Sequence, residues 1–101
     1  MFKLSAVQVR LYEFENPDDM TVLHIKPPSL DTLEIFNKVF SDTASSPKEL
    51  AGVTGTILSN NEEGLKITGK TVMRWMTTDI LAAFVEDFLG WLNDTKQRNP
   101  N

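Results

Sequence analysis

The sequence predicts an α+β fold: an N-terminal two-stranded β-hairpin followed by a mostly helical bundle of three main helices plus one short helix. Three observations carry this. Apolar and polar residues alternate on either side of Asn16-Pro17-Asp18-Asp19, the period of paired strands around a turn. After Pro27-Pro28 the apolar spacing changes to three and four, the period of a helix. Serines and threonines then stand where helix amides need caps, most clearly in Ser46-Pro47-Lys48-Glu49.

The elements follow in order. Residues 4–14 read as a strand in which Val7, Val9 and Leu11 share one face, with Phe2 and Leu4 out of phase with them. In the turn, proline fixes φ and the Asn and Asp side chains bond nearby amides. Met20 to Lys26 reads as the second strand, and Pro27-Pro28 closes it because proline donates no ladder hydrogen bond. A helix starts at Ser29, with Leu30, Leu33, Phe36, Val39 and Phe40 as its stripe, and ends at residues 42–45.

Ser46 caps the next helix, Pro47 suits its first position and Glu49 completes a capping box. That helix runs to about Leu58 with Leu50, Val53 and Ile57 on its apolar side. Residues 60–64 form a loop, and Leu65-Lys66-Ile67 is extended and core-facing. Thr68 caps a brief helix to Trp75 or Met76. Thr77 or Thr78 caps the longest helix, from about Asp79 to Asn93, whose stripe is Ile80, Leu81, Phe84, Val85, Phe88, Trp91 and Leu92. The expected layout is one domain over residues 1–101, with a hairpin to residue 26, a helical part over 29–95 and a frayed tail over 96–101.

Composition narrows the function. The chain has 101 residues and no cysteine, which removes disulfides, thiolate metal sites and cysteine nucleophiles. Net charge is −4, and neither half carries a basic excess, so the field that phosphate backbones require is missing and nucleic acid is not an expected partner. No secretory signal is visible in Met1–Ser5, and no apolar run is long enough to span a membrane.

The motifs that suggest chemistry fail on context. Gly64-Leu65-Lys66-Ile67-Thr68-Gly69-Lys70-Thr71 matches the phosphate-loop pattern at every required position. An Asn/Glu-rich loop precedes it, however, where a buried parallel strand is required, and no alternation of strands and helices surrounds it. Residues 49–55 and 71–75 have the flavour of a helix-turn-helix, but too many residues separate them. A calcium loop placed on Gly64 would need a glutamate where Lys70 stands. His24, the single histidine, lies between Leu23 and Ile25 and points away from the face they share. The pairs Glu62-Glu63 and Glu86-Asp87 diverge as neighbouring residues do, the pattern of solvated surface. No enzyme activity, metal or cofactor is expected.

Aromatic residues make up 9% of the chain and exceed what so small a core covers with ease. Trp75, Met76 and Trp91 are the candidate protein-contact residues, since interfaces favour aromatics and methionine. The order Pro27-Pro28-Ser29-Leu30, then Ile57-Leu58-Ser59-Asn60-Asn61-Glu62-Glu63-Gly64, then Phe88-Leu89-Gly90-Trp91-Leu92 resembles the small tail assembly chaperones of long-tailed bacteriophages and prophages. The resemblance covers roughly residues 23–93 and is one of layout. It implies a protein without catalytic residues that binds and solubilises the tape-measure protein in the host cytoplasm. It also implies recruitment of tail-tube protein, a place outside the mature virion, and, in many members, a longer frameshifted form. A small adaptor or antitoxin shares the same composition, and homo-oligomers fit either reading.

Overall fold

The computed structural model describes residues 1–7 and 9–97. Strands β1 (Tyr12–Glu15) and β2 (Val22–Ile25) form an antiparallel hairpin, with Tyr12 opposite Ile25 and Glu15 opposite Val22. Helices α1 (Leu30–Ser41), α2 (Pro47–Ser59), α3 (Gly69–Trp75) and α4 (Thr78–Gln97) follow. The α+β class and the element order are those the sequence predicts.

The helix starts are set by their caps. Ser29 accepts from the Thr32 amide and Thr68 from the Thr71 amide, each at 3.2 Å. Both halves of the capping box form at α2: the Glu49 amide donates to Ser46 Oγ (3.2 Å) and the Ser46 amide to Glu49 Oε1 (2.8 Å). Thr77 caps α4 by accepting from the Ile80 amide. The helix runs to Gln97, beyond its expected end, so Lys96 lies inside it; the rest of the expected frayed tail, 98–101, lies outside the described residues.

The first strand departs most from expectation. Leu4–Ala6 is a 3₁₀ turn, Val7 and Val9 are exposed, and pairing begins only at Tyr12. The register explains this. Continued backwards from Tyr12↔Ile25, it would set Arg10 and Val9 against Pro27 and Pro28, which have no N–H to donate. The strand's inward face is also inverted: Tyr12 and Phe14 turn to the core, one residue out of step with the valines. Met20 closes the turn at φ 64°, and its amide donates to the Asn16 carbonyl.

The core gathers Leu23 and Ile25 of β2, Phe36 of α1, Ala51, Ile57 and Leu58 of α2, Ile67, Val72 of α3, and Phe84 and Phe88 of α4. Phe88 joins three elements, with its ring 5.3 Å from Tyr12, 6.5 Å from Phe36 and 5.6 Å from Phe84. Three expected core positions on the helical side face solvent instead: Leu30 is 82%, Leu65 41% and Ile80 49% exposed. On α2 the buried side is Ala51, Thr54, Gly55, Ile57 and Leu58; of the expected stripe Ile57 is buried, and Leu50 and Val53 lie at the margin. Small residues face inward because α3 packs there. A Cβ on Gly55 would come 2.8 Å from the Ile67 carbonyl oxygen, and one on Gly69 3.0 Å from Gly52 Cα.

Asn61 holds the turn after α2. Its amide nitrogen donates to the carbonyls of Leu58 and Leu65, and its Oδ1 accepts from the Leu65 amide. This lays residues 60–62 along β2, where the Lys26 amide donates to Asn60 and the Glu62 amide to His24. Among the described residues no helix is long and apolar enough to cross a membrane.

Candidate protein-contact site

The phosphate-loop lookalike is structural. Gly64 occupies a turn at φ 72°, and the only sheet among the described residues is the antiparallel hairpin. Several amides of the motif and its helix start are already used: Leu65 donates to Asn61, Ile67 to Ser59 Oγ, Thr71 to Thr68 Oγ1 and Val72 to the Thr68 carbonyl. Thr71 Oγ1, the expected magnesium ligand, lies 3.2 Å from Thr68 Oγ1. Gly69 serves close packing on Gly52. The helix-turn-helix reading fails on geometry as well, since residues 60–68 wind between α2 and α3.

The described residues contain no cluster of three or more His, Cys, Asp or Glu side chains placed to hold a metal. His24 turns away from the core, as expected, and its Nδ1 lies 2.6 Å from Glu63 Oε2. That hydrogen bond, reinforced by the surrounding carboxylates of Glu63, Glu13 and Glu62, raises the His24 pKa above its ordinary value. The same bond, with the His24 amide donating to Glu63 Oε1, lowers the Glu63 carboxyl. The pair pins the loop to β2.

The three candidate contact residues do not form one patch. Trp75 is half-buried against the hairpin: its ring lies 6.0 Å from Phe14 and its Nε1 donates to Asp18 Oδ1 at 3.1 Å. Asp18 also takes both guanidinium nitrogens of Arg74 at 3.0 Å, and these bonds, then Trp75's, hold its carboxyl below the usual range. Trp91 is half-buried further along α4, 5.5 Å from Tyr12 and beneath the Arg10 guanidinium. Tyr12 donates to Asp87 at 2.6 Å; burial first, then that bond, push its phenol well above the ordinary value. Both tryptophans thus fasten α3 and α4 to β1.

Met76 lies elsewhere. It is the extended residue (φ −122°, ψ 137°) between α3 and α4, and the chain turns a corner there. The inside of that corner and the start of α2 enclose an open groove of about 300 Å³. Its walls are Pro47, Leu50 and Ala51 from α2, Val72, Met73 and Met76 from α3, and Thr77, Thr78 and Leu81 at the start of α4. Met73 is 51% exposed there. Sequence reasoning finds Met76 but misses Met73, Pro47 and Leu50. The available signal is the Met73/Met76 pair, three residues apart where a short helix ends. Comparison with known protein families, with curated protein sequences and with solved structures finds no match.

Proposed function

We propose that this chain is a non-enzymatic assembly chaperone, of the kind the phage tail assembly chaperones represent, which holds apolar helical segments of a long partner, the tape-measure protein. The observation that supports this reading is the groove at the α2–α3–α4 corner, an apolar trough with two methionines in its wall. Methionine is unbranched and polarisable, so such a wall adapts to many apolar side chains and selects for none. That suits a partner whose successive helices differ in sequence. A net charge of −4 keeps copies of the chain soluble while their apolar grooves are filled.

Co-expression tests it. The tape-measure protein from the same gene neighbourhood is made with this chain or with its Met73→Glu variant, and the soluble fraction is measured. The native chain brings the partner into solution, and the variant, folded because Met73 is half out in solvent, does not. A partner that stays insoluble, alongside a compact complex of this chain with one small protein, refutes the proposal and favours an adaptor or antitoxin.

A further inference from the structure

The hairpin has one covered edge and one open edge. Residues 60–62 lie along β2, but among the described residues no strand or segment pairs with the outer side of β1. His24 directs its N–H to Glu63 and its carbonyl to the Glu62 amide, so both groups point away from β1. Glu13, paired with His24, therefore holds a non-hydrogen-bonded position, and its own N–H and C=O face outward. Glu15, two residues on, faces the same way. Among the described residues no hydrogen bond reaches these groups.

Just ahead of β1 lies a segment that the described residues leave exposed. Phe2 is 78% and Leu4 82% exposed, and the turn at Leu4–Ala6 buries no residue. Lys3 and Val7, on either side of that turn, already have extended backbones (φ −123°, ψ 118° and φ −78°, ψ 127°). Residues 1–10 contain Lys3 and Arg10 and no acidic group, whereas the open edge carries Glu13 and Glu15.

We infer that a second copy of this chain covers the open edge. Residues 1–4 of each copy add antiparallel to β1 of the other, opening the turn at Leu4–Ala6 and joining the two hairpins into one sheet across a two-fold axis. One register satisfies both faces of that sheet. With Lys3 opposite Glu13 of the second copy, Phe2 stands opposite its Phe14 and Leu4 opposite its Tyr12. Apolar side chains then meet aromatic ones on the face toward α4, and lysine meets glutamate on the solvent face, twice by symmetry.

Other registers are worse. A slip of one residue sets Phe2 against Glu13 or Glu15 and Lys3 against an aromatic ring. A slip of two places either Phe2 beyond β1, opposite Asn16, or Lys3 against Leu11. The favoured register also pairs Val7 with Val9 of the second copy, both exposed in the single chain. The inference stands apart from the groove and from any partner that fills it.

The absence of cysteine makes the register testable. Paired Cα atoms at such a position lie about 5.5 Å apart, within disulfide reach. A Lys3→Cys/Glu13→Cys variant is expected to cross-link into a covalent dimer under mild oxidation, and Lys3→Cys/Glu15→Cys at least tenfold more slowly. In sedimentation equilibrium, Lys3→Glu and Glu13→Lys should each weaken the dimer at least tenfold, and the two together should restore it. Circular dichroism checks that each variant is folded. A native chain that stays monomeric at millimolar concentration overturns the inference. So does a dimer indifferent to both charge reversals.

Discussion

Replacing Gly55 with alanine tests the packing on which the whole helical part rests. An alanine Cβ there would lie 2.8 Å from the Ile67 carbonyl oxygen, 3.0 Å from the Thr68 carbonyl carbon and 3.1 Å from the Gly69 amide nitrogen. All three are backbone atoms, so no side chain can rotate away. An ordinary carbon–oxygen contact is about 3.3–3.6 Å, so residues 67–69 must retreat by about half an ångström. They are tethered: Ser59 Oγ accepts from the Ile67 amide at 2.8 Å and donates to the Ile67 carbonyl at 2.9 Å.

Overpacking against fixed atoms costs about 2–3 kcal/mol, and the helix preference of alanine over glycine offsets about 1. The net loss is roughly 1–2 kcal/mol, a fall in Tm of roughly 5–15 °C for a domain of this size. Gly52, in the same helix, is the internal control. Nothing lies within 4 Å of a Cβ there, so Gly52→Ala should stabilise by about 0.5–1 kcal/mol. Urea melts followed by tryptophan fluorescence read both. If Gly55→Ala also stabilises, α2 and α3 are not in contact as described, and the structural explanation of the phosphate-loop lookalike goes with it.

Further outcomes follow from the same structure. Ser46→Ala removes the acceptor for the Glu49 amide and should lower stability by about 1 kcal/mol in the same melts. Phe88 is fully buried among rings from three elements, so Phe88→Ala should cost about 3–5 kcal/mol; the half-exposed Trp91 should cost clearly less when replaced, and an equal loss would show that Trp91 is core. The His24–Glu63 pair makes stability depend on pH. His24 has a folded pKa above its unfolded value, so its contribution is complete below about pH 6.5 and is lost as pH rises through the folded value. Glu63, shifted down, contributes above its unfolded value near 4.5 and fails as pH falls below it. Thermal melts from pH 6 to 9 should show Tm declining, and His24→Gln should remove the decline; an unchanged slope in that variant assigns it to other groups.

The helices were legible because their signals are local. Ser29, Ser46, Thr68 and Thr77 each cap through a hydrogen bond spanning three residues, so sequence spacing alone identifies them. The first strand was not, because its limit lies in another segment. Only the pairing register brings Val9 and Arg10 up to Pro27 and Pro28, and nothing near Val9 announces it. The inverted face of β1 has the same origin: Tyr12 and Phe14 turn inward because Phe84 and Phe88 of α4 meet them there. The groove was half legible. Met76 was evident from composition, but Pro47 and Leu50 join it only through the close approach of α2 and α3, which rests on Gly55 and Gly69, whose packing partners lie in the other segment.

If the proposed chaperone holds successive apolar helices of one long partner, many copies must load on it, because a chain of 101 residues covers only a short stretch, and stoichiometry tests this most directly. Complexes of the chain with a nested series of tape-measure fragments, purified after co-expression, can be weighed by light scattering or native mass spectrometry. The account predicts that the number of copies rises in proportion to fragment length and that Met73→Glu abolishes loading on every fragment. A copy number that stays constant as the fragments lengthen would contradict it, because a fixed complex at one site is not a coat.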